Sequence, residues 1–281
     1  MISNWKVAAF ALASGALAMG GSAQAQTPAN TDGLYASVSG GASFLTDSQN
    51  RGELGEDFVT GTGTTIPAGV PLGGAPVGWT TQFDTGWTVS GALGKRYGAM
   101  RGELEVAYQA NSIKRHFGVF AGDVPLDQED AGVLIPGSGR LGATVGEIVD
   151  DGRGSVDTLF LMANGFYDFK PEQTPFSIYV GGGLGVGFVE VDYRPSNVGI
   201  INDDAAAFAY QVMGGASYDL SDRAQLFAGY RFRGTTDVTT DVDLFPGTLD
   251  IENRAHVVEG GLRFFFLGAG AARAAEVARA P

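Results

Sequence analysis

The sequence predicts an all-β fold: one eight-stranded antiparallel transmembrane β-barrel, an up-and-down meander with four long extracellular loops. Three observations predict it. Apolar and polar residues alternate with a period of two over segments of about 12 residues, longer than the five or six of a globular strand and near the ~9–11 of a tilted membrane strand. One face of each segment is free, or nearly free, of charge. The connections alternate between short and long, the asymmetry of bacterial barrels with short periplasmic turns and long outer loops.

Eight segments carry the pattern. In 33–46, Leu34, Ala36, Val38, Ala42 and Phe44 oppose Tyr35, Ser37, Ser39 and Ser43. In 82–96, Phe83, Trp87, Val89 and Leu93 oppose Asp84, Thr88, Ser90 and Arg96. A tight turn at Tyr97-Gly98-Ala99 leads to 100–112, where Leu104, Val106 and Tyr108 oppose Arg101, Glu103 and Glu105. Segment 155–169 follows, then a short link with Pro171, which suits a turn. The clearest alternation is 174–191: Phe176, Ile178, Val180, Leu184, Val186 and Phe188 against Ser177, Tyr179, Gly181, Gly183, Gly185 and Gly187. Segments 205–220, 223–234 and 254–266 complete the set. The long connections are 47–81, 113–154, 192–204 and 235–253, so both barrel ends lie on the periplasmic side.

In lipid every backbone polar group must be paired within the protein, and a closed barrel is the all-β way to achieve it. The rows of bulky aromatics then face acyl chains, and the Gly- and Ser-rich rows face a narrow interior. Tyr35, Phe44, Phe83, Tyr167, Phe169, Tyr218, Phe264 and Phe266 lie near strand ends, where an aromatic girdle is expected. The inward rows also carry charge. Glu103, Glu105, Arg231, Arg233, Glu259 and Arg263 are the candidates for an ion-pair network that fills the lumen. Buried charges are tolerable only when paired, and the 44 glycines of the chain, the row at 181–187 above all, leave room for these long side chains.

Residues 1–25 read as a cleaved signal peptide. Lys6 ends a short n-region, an Ala-rich apolar run follows, and Ala23-Gln24-Ala25 is a small-x-small cleavage site that makes Gln26 the mature N-terminus. The expected organisation is a leader at 1–25, an outer-membrane barrel at 26–266 and a short Ala-rich periplasmic tail at 267–281. The chain has 18 Lys+Arg against 31 Asp+Glu and no Cys. That balance argues against nucleic acid, and the absence of Cys excludes disulfides, a zinc ribbon and a thiol nucleophile. Of the two histidines, His256 falls on the lipid-facing row near the outer rim, and His116 lies near Ser112 with no orienting acid beside them. Acyl hydrolysis needs nucleophile, base and acid together. The sequence therefore predicts no catalytic site, no cofactor and no metal. The acidic loops, with Asp237, Asp241, Asp243 and Asp250 in the last, read as a solvated anionic surface without EF-hand spacing.

Four segments in order support a family comparison. Asn164-Gly165-Phe166-Tyr167-Asp168-Phe169, then Pro175 to Gly185, then Phe208-Ala209-Tyr210-Gln211-Val212-Met213-Gly214-Gly215, then Gly229-Tyr230-Arg231-Phe232 resemble strands of the opacity-protein-like surface antigen family of small outer-membrane barrels. The resemblance implies a surface antigen or adhesin. The expected role is structural or surface-interacting. The alternative is a narrow small-solute or ion channel, and a lipid-modifying outer-membrane enzyme ranks below both. The expected partners are outer-membrane lipid and lipopolysaccharide, the barrel-assembly machinery during insertion, and an unidentified extracellular ligand of the loops.

Overall fold

The computed structural model describes residues 33–266 apart from 173, 198, 200 and 242–246. The leader at 1–25 and the tail at 267–281 lie outside the described residues. In chain order the strands are β1 (Gly33–Leu45), β2 (Ser48–Leu54), β3 (Pro76–Phe83), β4 (Gly86–Tyr97), β5 (Met100–Ala121), β6 (Val124–Pro125), β7 (Gly154–Phe169), β8 (Phe176–Tyr193), β9 (Ile201–Asp219), β10 (Ala224–Thr235), β11 (Val238–Asp241), β12 (Gly247–Ile251) and β13 (Arg254–Phe265). One short helix, α1 (Val145–Val149), opens on a capping box between Thr144 and Glu147.

Eight strands close a ring in the order β1-β4-β5-β7-β8-β9-β10-β13, and β13 pairs back onto β1. Every pairing is antiparallel, so the ring has no free edge and its ladder hydrogen bonds are all internal. The turn between β4 and β5 needs a left-handed residue, which Gly98 supplies at φ 58°.

The alternation read from sequence sets the two faces. Leu93, Leu104, Leu184 and Val258 are each more than half exposed, and they belong to a belt of exposed apolar side chains that runs around the ring. An exposed apolar belt of this kind marks a face that meets a membrane. On β8 the outward row Phe176–Phe188 carries no charge until Glu190 and Asp192. That row runs about 40 Å along the strand, about 30 Å in height at a tilt near 40°, enough for the hydrocarbon core. Two members of the expected girdle belong elsewhere. Phe83, the last residue of β3, packs half-buried against the apolar core of the outer segments. Tyr35 faces the lumen at 1% exposure, because the strand period places it on the Ser row of β1.

The long connections are more ordered than their sequences suggest. β5 continues past Ser112 for nine residues to Ala121, where β3 pairs with it, and β2, β12 and β11 extend the same sheet above the membrane. Together with α1 they enclose an apolar core of Leu54, Val77, Trp79, Ile113, Leu126, Val133, Leu249 and Ile251. Val156, Val189, Val191, Tyr193 and Ile201, at the tops of β7, β8 and β9, belong to the same core. The outer segments thus form a folded cap seated on the barrel mouth.

The inward glycines of β8 are sites of close approach. A Cβ at Gly183 would strike the Asn164 amide, whereas at outward Gly182 it would meet nothing nearer than 3.6 Å. Gly183→Val is therefore expected to destabilise the barrel by about 1–3 kcal/mol and Gly182→Val hardly at all. The temperature at which the folded band disappears from a heat-shift gel measures both.

Candidate functional site

The interior of the ring is filled by charged and polar side chains. Glu105 on β5 and Arg231 on β10 lie four places apart in a ring of eight, so their ion pair crosses the lumen. The other Glu105 bonds come from Arg233 Nη2 at 3.0 Å, Asn164 Nδ2 at 2.7 Å and Gln211 Nε2 at 3.2 Å. Arg231 also donates to Glu259 at 2.7 Å and to Gln211 at 2.9 Å, and Ser39 donates to the second Glu259 oxygen at 3.0 Å. Register explains the convergence: Asn164 lies opposite Glu103 across β7 and β5, and Gln211 opposite Arg233 across β9 and β10.

The six candidates do not all meet. Glu105, Arg231, Arg233 and Glu259 form one cluster, each at most 7% exposed. Glu103 joins it through Asn164, and it accepts the Tyr35 hydroxyl at 2.8 Å. Arg263 stands apart. It donates to Gln225 and stacks on Phe227 at 4.8 Å and Tyr35 at 5.4 Å, with no carboxylate in ion-pair contact among the described residues. A second cluster nearer the periplasmic end, Arg96 and Arg101 on Asp168, escaped the sequence reading although the same alternation turns all three inward. Asn164 and Gln211 escaped for a different reason: their role depends on bonds across the ring.

Apolar layers bracket the charges. Ala107, Phe160, Met162 and Ala209 form one; Phe166, Tyr179, Met213 and Phe227 form the other. A cavity of about 20 Å³ beside Ser39, Ser90 and Glu259 has room for a single water.

The cap holds the remaining candidates. Ser112 faces outward, whereas His116 is 2% exposed and bonds Thr81 Oγ1 through Nδ1 at 2.8 Å, so the two do not form a dyad. Trp79 and Tyr193 pack against the imidazole, with ring centroids at 6.4 and 4.9 Å. Burial lowers the His116 pKa to about 4, against a smaller opposing pull from Asp151. His256 is exposed on the outward face, 2.6 Å from the Tyr230 hydroxyl. Not every loop carboxylate is solvated. Asp130 accepts the amides of Leu141, Gly132 and Gly142, which hold its carboxyl below the usual range. Glu129 accepts those of Thr65 and Ile66 and ties the first long loop to the second.

A family model described as surface antigen matches residues 79–244. The chain belongs to the surface antigen family. Uncharacterised proteins of Brucella abortus (strain 2308), Brucella suis biovar 1 and Brucella melitensis biotype 1 are each 35% identical over 92 residues, 30% of this chain and 31% of theirs. The match thus spans about a third of the length of these curated relatives. Among solved structures, Neisserial surface protein A is similar over 85% of this chain and 100% of its own (15% identity, TM-score 0.40). The outer membrane protein OprG from Pseudomonas aeruginosa is similar over 84% and 97% (13%, TM-score 0.48), and the outer membrane protease OmpT from Escherichia coli over 86% and 99% (11%, TM-score 0.39). At those identities and scores the ring of strands rests on this chain's own register. The surface antigen is an eight-stranded outer-membrane β-barrel.

Two outcomes are expected of this surface antigen. Glu105→Leu leaves Arg233 without its carboxylate and should cost about 3–5 kcal/mol, well above Arg263→Met, which breaks no ion pair; urea unfolding in lipid vesicles checks the order. His116 is neutral in the closed cap and regains an ordinary pKa near 6.5 when the cap opens. The open state then binds more protons, so cap stability is full above pH 6.5 and falls by up to about 3 kcal/mol as pH drops toward 4. Amide hydrogen exchange of β3 should show that loss, and His116→Gln should remove it.

Proposed function

We propose that the surface antigen is a non-catalytic display protein: a barrel sealed by its lumen ion pairs that holds a folded, acidic cap at the cell surface. The observation that carries this reading is the union of the two parts, with the cap core continuous with the tops of β7, β8 and β9. A lumen crossed by Glu105 and Arg231 and bracketed by apolar layers favours a structural network over conduction. The buried Thr81–His116 pair has no access for a substrate, which favours a role without chemistry.

In this reading the chain is exported, the leader is cut after Ala25, and the assembly machinery inserts the barrel. Lipid and lipopolysaccharide cover its outer belt, and the extracellular ligand meets the cap. The competing reading, a narrow ion path, draws on the unpartnered guanidinium nitrogens Arg231 Nε and Arg233 Nη1 in the lumen. Cell fractionation should find the protein in the outer membrane with a heat-shifted mobility, and planar bilayers should show no stable conductance steps. Steps that vanish on altering Glu105 or Arg231 would overturn the sealed-barrel reading in favour of the channel.

A further inference from the structure

The outward face of the barrel carries a groove of about 640 Å³ at the end opposite the cap. Leu34 on β1, Leu93 on β4, Leu104 on β5 and Phe266 line it. Each is more than half exposed and stands on a row that faces lipid, so the groove opens outward, into the bilayer. Gly102 belongs to the lining and leaves the depression open, since a Cβ there would meet nothing nearer than Asn164 O at 3.9 Å.

Lys95 is part of the same lining. Strand register sets it between Leu34 and Gly102. It is exposed, and on the half of the outward strand rows away from the cap it is the only charged side chain among the described residues. It makes no hydrogen bond or ion pair among them. Lys95 lies two residues from the turn at Tyr97-Gly98-Ala99, about 5 Å in height at the tilt of such a barrel. Its stem can therefore lie along apolar surface while its ammonium sits at the headgroup level. The acid in the lining, Glu103, does not answer that charge. It turns inward, where the Tyr35 hydroxyl and Asn164 Nδ2 donate to its two oxygens at 2.8 and 3.3 Å. Behind it Arg96 and Arg101 share Asp168, so the two guanidiniums offset both carboxylates.

We propose that this groove is a binding site for one phospholipid of the periplasmic leaflet, with a net negative headgroup. An acyl chain lies on Leu93 and Leu104 in the space over Gly102, and the phosphate pairs with Lys95. Charge and position argue for that occupant. The walls are apolar, the unpaired cation stands toward the short turns, and a basic side chain at this depth attracts anionic headgroups. Lipopolysaccharide occupies the other leaflet. The site goes beyond the display role and rests only on insertion of the barrel in the outer membrane with its cap outside.

The test titrates dioctanoyl phosphatidylglycerol, dioctanoyl phosphatidylcholine and dioctanoylglycerol into the full barrel in a non-ionic detergent and reads methyl NMR shifts of Leu34, Leu93 and Leu104. The three probes share their acyl chains and differ in headgroup. Phosphatidylglycerol should bind about fivefold tighter than phosphatidylcholine, or ~1 kcal/mol for one basic side chain, and dioctanoylglycerol most weakly. Lys95→Gln and 0.5 M salt should close that gap, and Lys95→Arg should keep it. Gly102→Leu should fill the groove and remove binding of all three; the open space at Gly102 lets this variant fold, which its heat-shifted mobility verifies. Equal affinities, or an order that Lys95→Gln leaves unchanged, overturn the site. Shifts as large at Leu184 on β8 also overturn it, because they reveal a general lipid shell. Benzoylphenylalanine placed at Leu93 and irradiated in intact cells should capture phospholipid; capture of lipopolysaccharide alone overturns the leaflet assignment. Fractionation tests the insertion separately: a protein in the outer membrane without headgroup preference sinks the site alone, and absence from that membrane sinks the placement itself.

Discussion

Closure of the backbone is the constraint on which everything else in this protein depends. In a bilayer an unpaired amide costs several kcal/mol, so the ladder from β1 through β13 and back to β1 has to be complete. Once the ring is complete, strand pleat dictates the rest. Alternate residues must face lipid, and the others must share an interior too narrow to be left empty. The exposed leucines and aromatics and the buried arginines are two consequences of one geometry.

That interior brings charges together in a place where they are tolerable only in concert. Glu105 has four donors from four residues on three other strands, and no two adjacent strands alone could supply them. The network therefore forms only when the ring is closed, and it couples strands that share no ladder hydrogen bonds. The glycines of β8 belong to this arrangement. They let the side chains of β7, Phe166, Asn164 and Met162 among them, lean across β8 where a Cβ would collide.

The cap extends the same logic above the membrane. β5 leaves the lipid still hydrogen-bonded and becomes the template for β3, which pairs with β2 and, through it, with β12. Apolar side chains of the loops and of the strand tops then share one core, so the surface the protein offers to the outside is a folded body. Its carboxylates divide accordingly. Glu129 and Asp130 hold loops together by accepting backbone amides, while Asp57 and Asp123 remain in water.

The sequence by itself determined the class of the protein, the eight membrane strands, the face of nearly every residue along them and the candidate lumen charges. A period of two is a local property, and one residue of slip would turn every side chain to the wrong face. Only the tertiary structure decided which charges meet. Glu105 and Arg231 are 126 positions apart and touch because the ring places their strands opposite each other, whereas Arg263, equally inward, finds Gln225. The tertiary structure likewise turned Tyr35 from an expected girdle residue into a lumen residue bonded to Glu103. The cap was invisible for a related reason: its strands are short, and their apolar partners lie in three separate loops and on the barrel rim, contacts that no periodicity within a single segment records.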